Sequence, residues 1–107
     1  MSGTTQRGVC CSLPEPAQRA RGAALRAGVL SQVAEVRELD DGYALRFAPT
    51  AEVIEGLGRF IAFEQACCGF LRFALEVEAA GGPVWLSLSG SAEAKDFVRA
   101  ALQRWSA

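Results

Sequence analysis

The chain contains no histidine, and its one methionine is Met1. Those absences remove imidazole and thioether from the usual metal donors, so any soft-metal site here has to be built from thiolate, with carboxylate as the second donor. They also remove histidine-activated nucleophiles. No stretch approaches the roughly 18 apolar residues that a membrane-spanning helix needs, and the N-terminus lacks a basic-then-apolar export signal. The expectation is a cytoplasmic protein with no membrane partner. Charge of one sign is also missing: 11 basic residues are offset by 12 acidic ones, and their scatter provides no electrostatic footprint for nucleic acid. Neither a glycine-rich phosphate loop nor a dinucleotide fingerprint occurs.

What is present suits one globular unit. A chain of 107 residues, half of them hydrophobic, can build one core but not two. Residues 1–9 are polar and glycine-containing and read as a tail, leaving 10–107 as a single domain.

Within that domain the four cysteines fall in two adjacent pairs, Cys10-Cys11 and Cys67-Cys68. In a reducing compartment such cysteines read as thiols for metal, redox or catalytic work rather than as structural disulfides. Neighbouring cysteines also bridge each other poorly: their Cα atoms are about 3.8 Å apart, below the usual disulfide range of roughly 4.4–6.8 Å. Two thiolates suit a low-coordinate soft ion, and four could close a tetrahedral zinc site. The competing interpretation is that buried cysteines act as small hydrophobes. It fits Cys67 and Cys68, which flank an apolar stripe, better than Cys10 and Cys11, which lie beside a polar tail.

The stripe belongs to a helix expected over 50–68, begun by Thr50 after Pro49 and ended at Gly69, a natural residue to follow a helix in the left-handed conformation. At about 100° per residue, Leu57 and Val53 lie about 20° to either side of Glu64, with Cys67 about 60° one way and Cys68 about 40° the other. An acid therefore sits mid-stripe, one turn below two sulfurs. Burying it unpartnered would cost several kcal/mol, roughly. Glu64 should thus be paired, for which Arg46, Arg59 and Arg72 are candidates, or held protonated inside an apolar pocket beside the thiols and free of any arginine.

The remaining elements follow from periodicity. A first helix is expected near 15–28, with Gly28 as its end. Strands are expected near 32–39 and 43–48, joined by a hairpin turn at Asp40-Asp41-Gly42 with Gly42 at positive φ. Alternation over 71–79 and 83–89, with Gly81-Gly82 between, forms a second hairpin, and Ser91 starts a helix near 91–105. The hairpin-helix unit occurs twice, about 40 residues apart. The fold class is therefore α+β: a two-layer sandwich of a four-stranded antiparallel sheet and three helices in the order α-ββα-ββα. A homodimer would follow if the outer sheet face carrying Trp85 were apolar.

The run Glu64-Gln65-Ala66-Cys67-Cys68-Gly69-Phe70-Leu71-Arg72-Phe73, with Cys11-Ser12-Leu13 upstream and Gly42-Tyr43-Ala44-Leu45-Arg46-Phe47 between, resembles small bacterial Glu-x-x-Cys-Cys-x-Phe proteins associated with, or fused to, regulators of the MerR heavy-metal type. The resemblance spans roughly residues 10–100 and implies a soft-metal or metalloid context; members with one upstream cysteine would match Cys11. This chain has no DNA-binding helical domain, so a regulator's role does not carry over.

Three functions follow. The first is binding and detoxification of a soft metal or metalloid by Cys67, Cys68 and Cys11, with Cys10 as a fourth thiol and Glu64 behind them. Mercuric ion stands first among the ligands, with zinc, cuprous ion and arsenite as the others. The second is an enzyme in which two thiolates hold an organomercurial and a protonated Glu64 delivers the proton to the leaving carbon. The third is thiol-disulfide exchange between the two pairs, which lacks the support of a Cys-x-x-Cys motif.

Overall fold

The structure is a computed structural model that describes residues 16–106, the side chains of 17–19, 21 and 104–106 excepted. The elements run α1 (Pro16–Leu30), β1 (Glu35–Leu39), β2 (Gly42–Phe47), α2 (Ala51–Cys67), β3 (Arg72–Val77), β4 (Val84–Ser89) and α3 (Ala92–Ser106). This is the expected α-ββ-α-ββ-α arrangement. The strands form one antiparallel sheet in the order β1-β2-β4-β3. Each hairpin thus contributes its second strand to the middle of the sheet and leaves its first at an edge.

The core follows from period-two alternation on the two central strands. Tyr43, Leu45 and Phe47 of β2 and Val84, Leu86 and Leu88 of β4 all point to one face, where they pack against Val29 of α1, Val53, Leu57 and Phe60 of α2, and Val98 of α3. Fully burying each large apolar side chain contributes roughly 1.5–3 kcal/mol, enough to set register, since a one-residue slip would turn the whole set outward. Both hairpin-following helices begin with a hydroxyl cap: Val53 N–H donates to Thr50 Oγ1 and Ala94 N–H to Ser91 Oγ, each at 3.1 Å.

The opposite face is polar. Arg37 lies over the Trp85 ring, 4.5 Å from its centroid, and Glu35 accepts from Arg37 at 3.1 Å and from Arg46 at 2.9 Å. The apolar outer face on which a dimer through Trp85 depended is therefore not there.

Several local expectations are corrected. Helix α1 does not stop at Gly28 but runs to Leu30, because Val29 is buried in the core and that packing outweighs a mid-helix glycine penalty of about 1 kcal/mol. Ser31 N–H then bonds to the Ala27 carbonyl and Gln32 N–H to that of Val29, both at 3.0 Å, which is why β1 starts at Glu35 rather than near 32. Gly42 is not at positive φ. It is required because a Cβ there would run into the Leu88 carbonyl of β4. Positive φ occurs instead at Ala80 (56°) and Gly81 (74°), the central residues of a turn closed by Gly82 N–H to the Ala79 carbonyl at 3.1 Å; two positive-φ centres are the mark of a type I′ turn. Nor does Gly69 take the left-handed conformation after α2: Cys68 is the cap, with φ −122° and ψ 70°.

Candidate metal centre

Helix α2 places its own acid beneath its own C-terminal sulfurs. Glu64 and Cys68 are four residues apart, one turn along a helix. The Cys68 N–H closes that turn on the Glu64 carbonyl at 2.5 Å. The Cys68 thiol donates to Glu64 Oε1 at 3.5 Å, and its sulfur lies 3.7 Å from that of Cys67. Glu64 is 3% exposed and Cys67 and Cys68 are each 1% exposed. One donor atom from each of the three lies within 4.8 Å of the others, so the group could hold a metal ion.

The second carboxylate oxygen has a different partner. Arg26 of α1 donates through Nη1 to Glu64 Oε2 at 2.5 Å. This corrects two expectations: Glu64 is ion-paired rather than free of arginine, and the partner is none of Arg46, Arg59 or Arg72. Arg46 is occupied by Glu35. Arg26 was the functional residue hardest to see in the sequence, although a signal existed. It shares a helical stripe with Gly22 and Val29 at spacings of four and three, and Gly22 and Val29 are both buried. Gly22 is where α1 comes close enough to α2 that a Cβ would meet the Phe63 ring. A charged residue on that stripe needs a buried counter-ion.

Around the pair the walls are apolar. Arg26 and Glu64 line a cavity of about 40 Å³ bounded by Phe60, Phe73, Leu88 and Phe97, with Phe60 and Phe73 packed edge to face at 6.4 Å. Desolvation first, then the Glu64 charge and its hydrogen bond, push the Cys68 thiol up to about 12, with Arg26 opposing. Cys68 is a free thiol. Cys67 is disulfide-bonded, contrary to the expectation of free thiols, so it can act as a thiolate donor only after reduction. The proximity of the Cys68 sulfur without a bond to Cys67 agrees with the poor geometry of a bridge between neighbours. Cys10 and Cys11 lie outside the described residues.

The general-acid reading assumes a Glu64 free of arginine, and the ion pair with Arg26 does not provide that environment. This buried pair supplies the charge partner that desolvation demands. Among the described residues no helix is long and apolar enough to cross a membrane. Comparison of the chain with protein-family models, curated proteins and solved structures finds no match.

Proposed function

We propose that this protein, with Cys67 reduced, binds a single thiophilic cation or metalloid through the sulfurs of Cys67 and Cys68 and a carboxylate oxygen of Glu64. The observation that carries the reading is the convergence of three buried donor atoms within 4.8 Å. Charge supports it as well: two thiolates, one carboxylate, one guanidinium and a divalent ion sum to zero, the balance a buried cluster requires. Without the cation the Cys68 thiol holds its proton, so binding releases protons.

Geometry ranks the ions differently from the sequence. With metal–sulfur bonds of about 2.3 Å, the 3.7 Å sulfur separation subtends an angle of about 107°, close to tetrahedral. A linear bis-thiolate of the mercuric kind, with bonds at least as long, would need about 4.6 Å or more between sulfurs. Zinc or another ion accepting bent sulfur-oxygen coordination therefore stands ahead of mercuric ion. The resemblance to proteins associated with MerR-type regulators supports a role in metal or metalloid resistance, and a reducing cytoplasm would keep Cys67 in its donor form.

The test is metal binding to the reduced protein, with zinc and mercuric ion titrated separately and then in competition. One ion per chain, proton release, and loss of binding in both Cys67→Ser and Cys68→Ser are expected. Undiminished binding by the double serine variant would refute the reading. Thiol-disulfide exchange is the second reading, favoured by a free Cys68 thiol 3.7 Å from the sulfur of a disulfide-bonded Cys67. The raised Cys68 pKa weakens it, since the thiolate is the attacking species.

A further inference from the structure

The two edges of the sheet are built differently. On β1 the charges are satisfied within the chain: Glu35 by Arg37 and Arg46, and Glu38 by Lys95 of α3 at 2.8 Å. On β3, Arg72 and Glu76 make no ion pair among the described residues. They pair with Ser89 and Trp85 of β4, which puts both on the polar outer face, two residues to either side of Ala74. The inner face of the same strand carries Phe73, Leu75 and Val77, opposite the buried Leu88, Leu86 and Val84. Helix α3 packs over β2 and β4, and cover fades toward this edge: Leu75 is 37% and Val77 51% exposed. Edge strands are normally protected from pairing by proline, lysine or a bulge. β3 has none of these over its six residues, and its register with β4 is unbroken.

We propose that two copies of this chain associate through β3, edge to edge and antiparallel, about a two-fold axis at Ala74, joining their sheets into one of eight strands. In that register Arg72 of each copy faces Glu76 of the other, giving two cross-strand ion pairs on the outer face. On the inner face Phe73 meets the other copy's Leu75, and Val77 its Leu71. An interface related by a two-fold axis has to be complementary to itself, and the placement of opposite charges at equal spacing from Ala74 meets that condition. Shifting the axis to Leu75 would set Glu76 against Ala74 and Arg72 against Glu78, which lies one residue past the end of β3, so no ion pair would then join two strand residues. One short strand per copy is small beside the roughly 1,200–2,000 Å² of stable interfaces, so the association is a concentration-dependent equilibrium. It is independent of the metal site.

Sedimentation velocity of the full chain over a concentration series, with reductant present to exclude intermolecular disulfides, tests this. The wild type is expected to pass from monomer to dimer. Arg72→Glu and Glu76→Arg, each setting like charges opposite each other, are expected to weaken the dimer roughly tenfold or more, and the double variant to restore it. Far-UV circular dichroism checks that each exposed substitution leaves the fold intact. A wild-type monomer at every concentration, a dimer indifferent to Arg72→Glu, or a loss that the double variant fails to restore would each overturn the proposal.

Discussion

Removing Arg26 should be among the most damaging single changes to a side chain in contact with solvent. Arg26→Gln deletes the guanidinium and leaves the Glu64 carboxylate, whose side chain is 4% exposed, facing a Cys68 thiol and an apolar wall. Breaking a fully buried pair by removing one partner costs about 3–5 kcal/mol. The Arg26 side chain is 24% exposed, so water can reach part of the site, and roughly half of that, about 2–3 kcal/mol, is the reasoned figure. Glu64→Gln should cost less, about 1–2 kcal/mol, because its amide oxygen still accepts a hydrogen bond and the freed arginine can turn toward solvent. The double variant buries no charge and should be more stable than the sum of the two costs implies, by about 1–2 kcal/mol. Urea unfolding under reductant measures all three. For a domain near this size, 1 kcal/mol is worth roughly 4–8 °C in melting temperature, so Arg26→Gln should melt about 10 °C or more below wild type. Equal costs for the two single variants, together with strict additivity in the double, would show that the pair is not a coupled buried unit.

Gly42→Ala should destabilise by about 2 kcal/mol or more, because its methyl would meet the Leu88 backbone carbonyl rather than a movable side chain; a urea midpoint within error of wild type would contradict the register of β2 with β4. Ala80→Asn should stabilise by about 0.5–1 kcal/mol, since asparagine tolerates the positive φ that alanine adopts there, and a lower midpoint would refute the turn assignment. Cys68 makes stability depend on alkaline pH in the reduced protein. The unfolded chain loses that thiol proton as pH passes the ordinary value near 9.0, whereas the folded chain holds it to about 12. Its contribution is therefore full below about pH 9 and declines as pH rises toward 12. Cys68→Ala should flatten part of that decline, and identical slopes for the two proteins would refute the burial argument.

Periodicity in the chain was sufficient for every element and for the α+β class, because alternation over 43–47 and 71–77 and the 3.6-residue stripe through Glu64 are consequences of which faces must leave water. The relation of Glu64 to Cys68 was equally legible, since four residues on a helix bring two side chains together whatever lies around them. Contacts between elements were not legible. That Arg26 rather than Arg46 pairs with Glu64 depends on the close passage of α1 over α2 at Gly22, and that Arg46 is taken by Glu35 depends on the pairing of β1 with β2. Gly42 shows the same division. Its place at a hairpin suggested a need for positive φ, while the actual demand comes from Leu88 and Ser89 of β4, distant in sequence, which the order β1-β2-β4-β3 brings against it. Local sequence determined where the backbone turns and which residues share a face. Tertiary structure decided which charges meet, which glycine is crowded and which strand is left uncovered at an edge, because each depends on distances between segments that no spacing within one segment encodes.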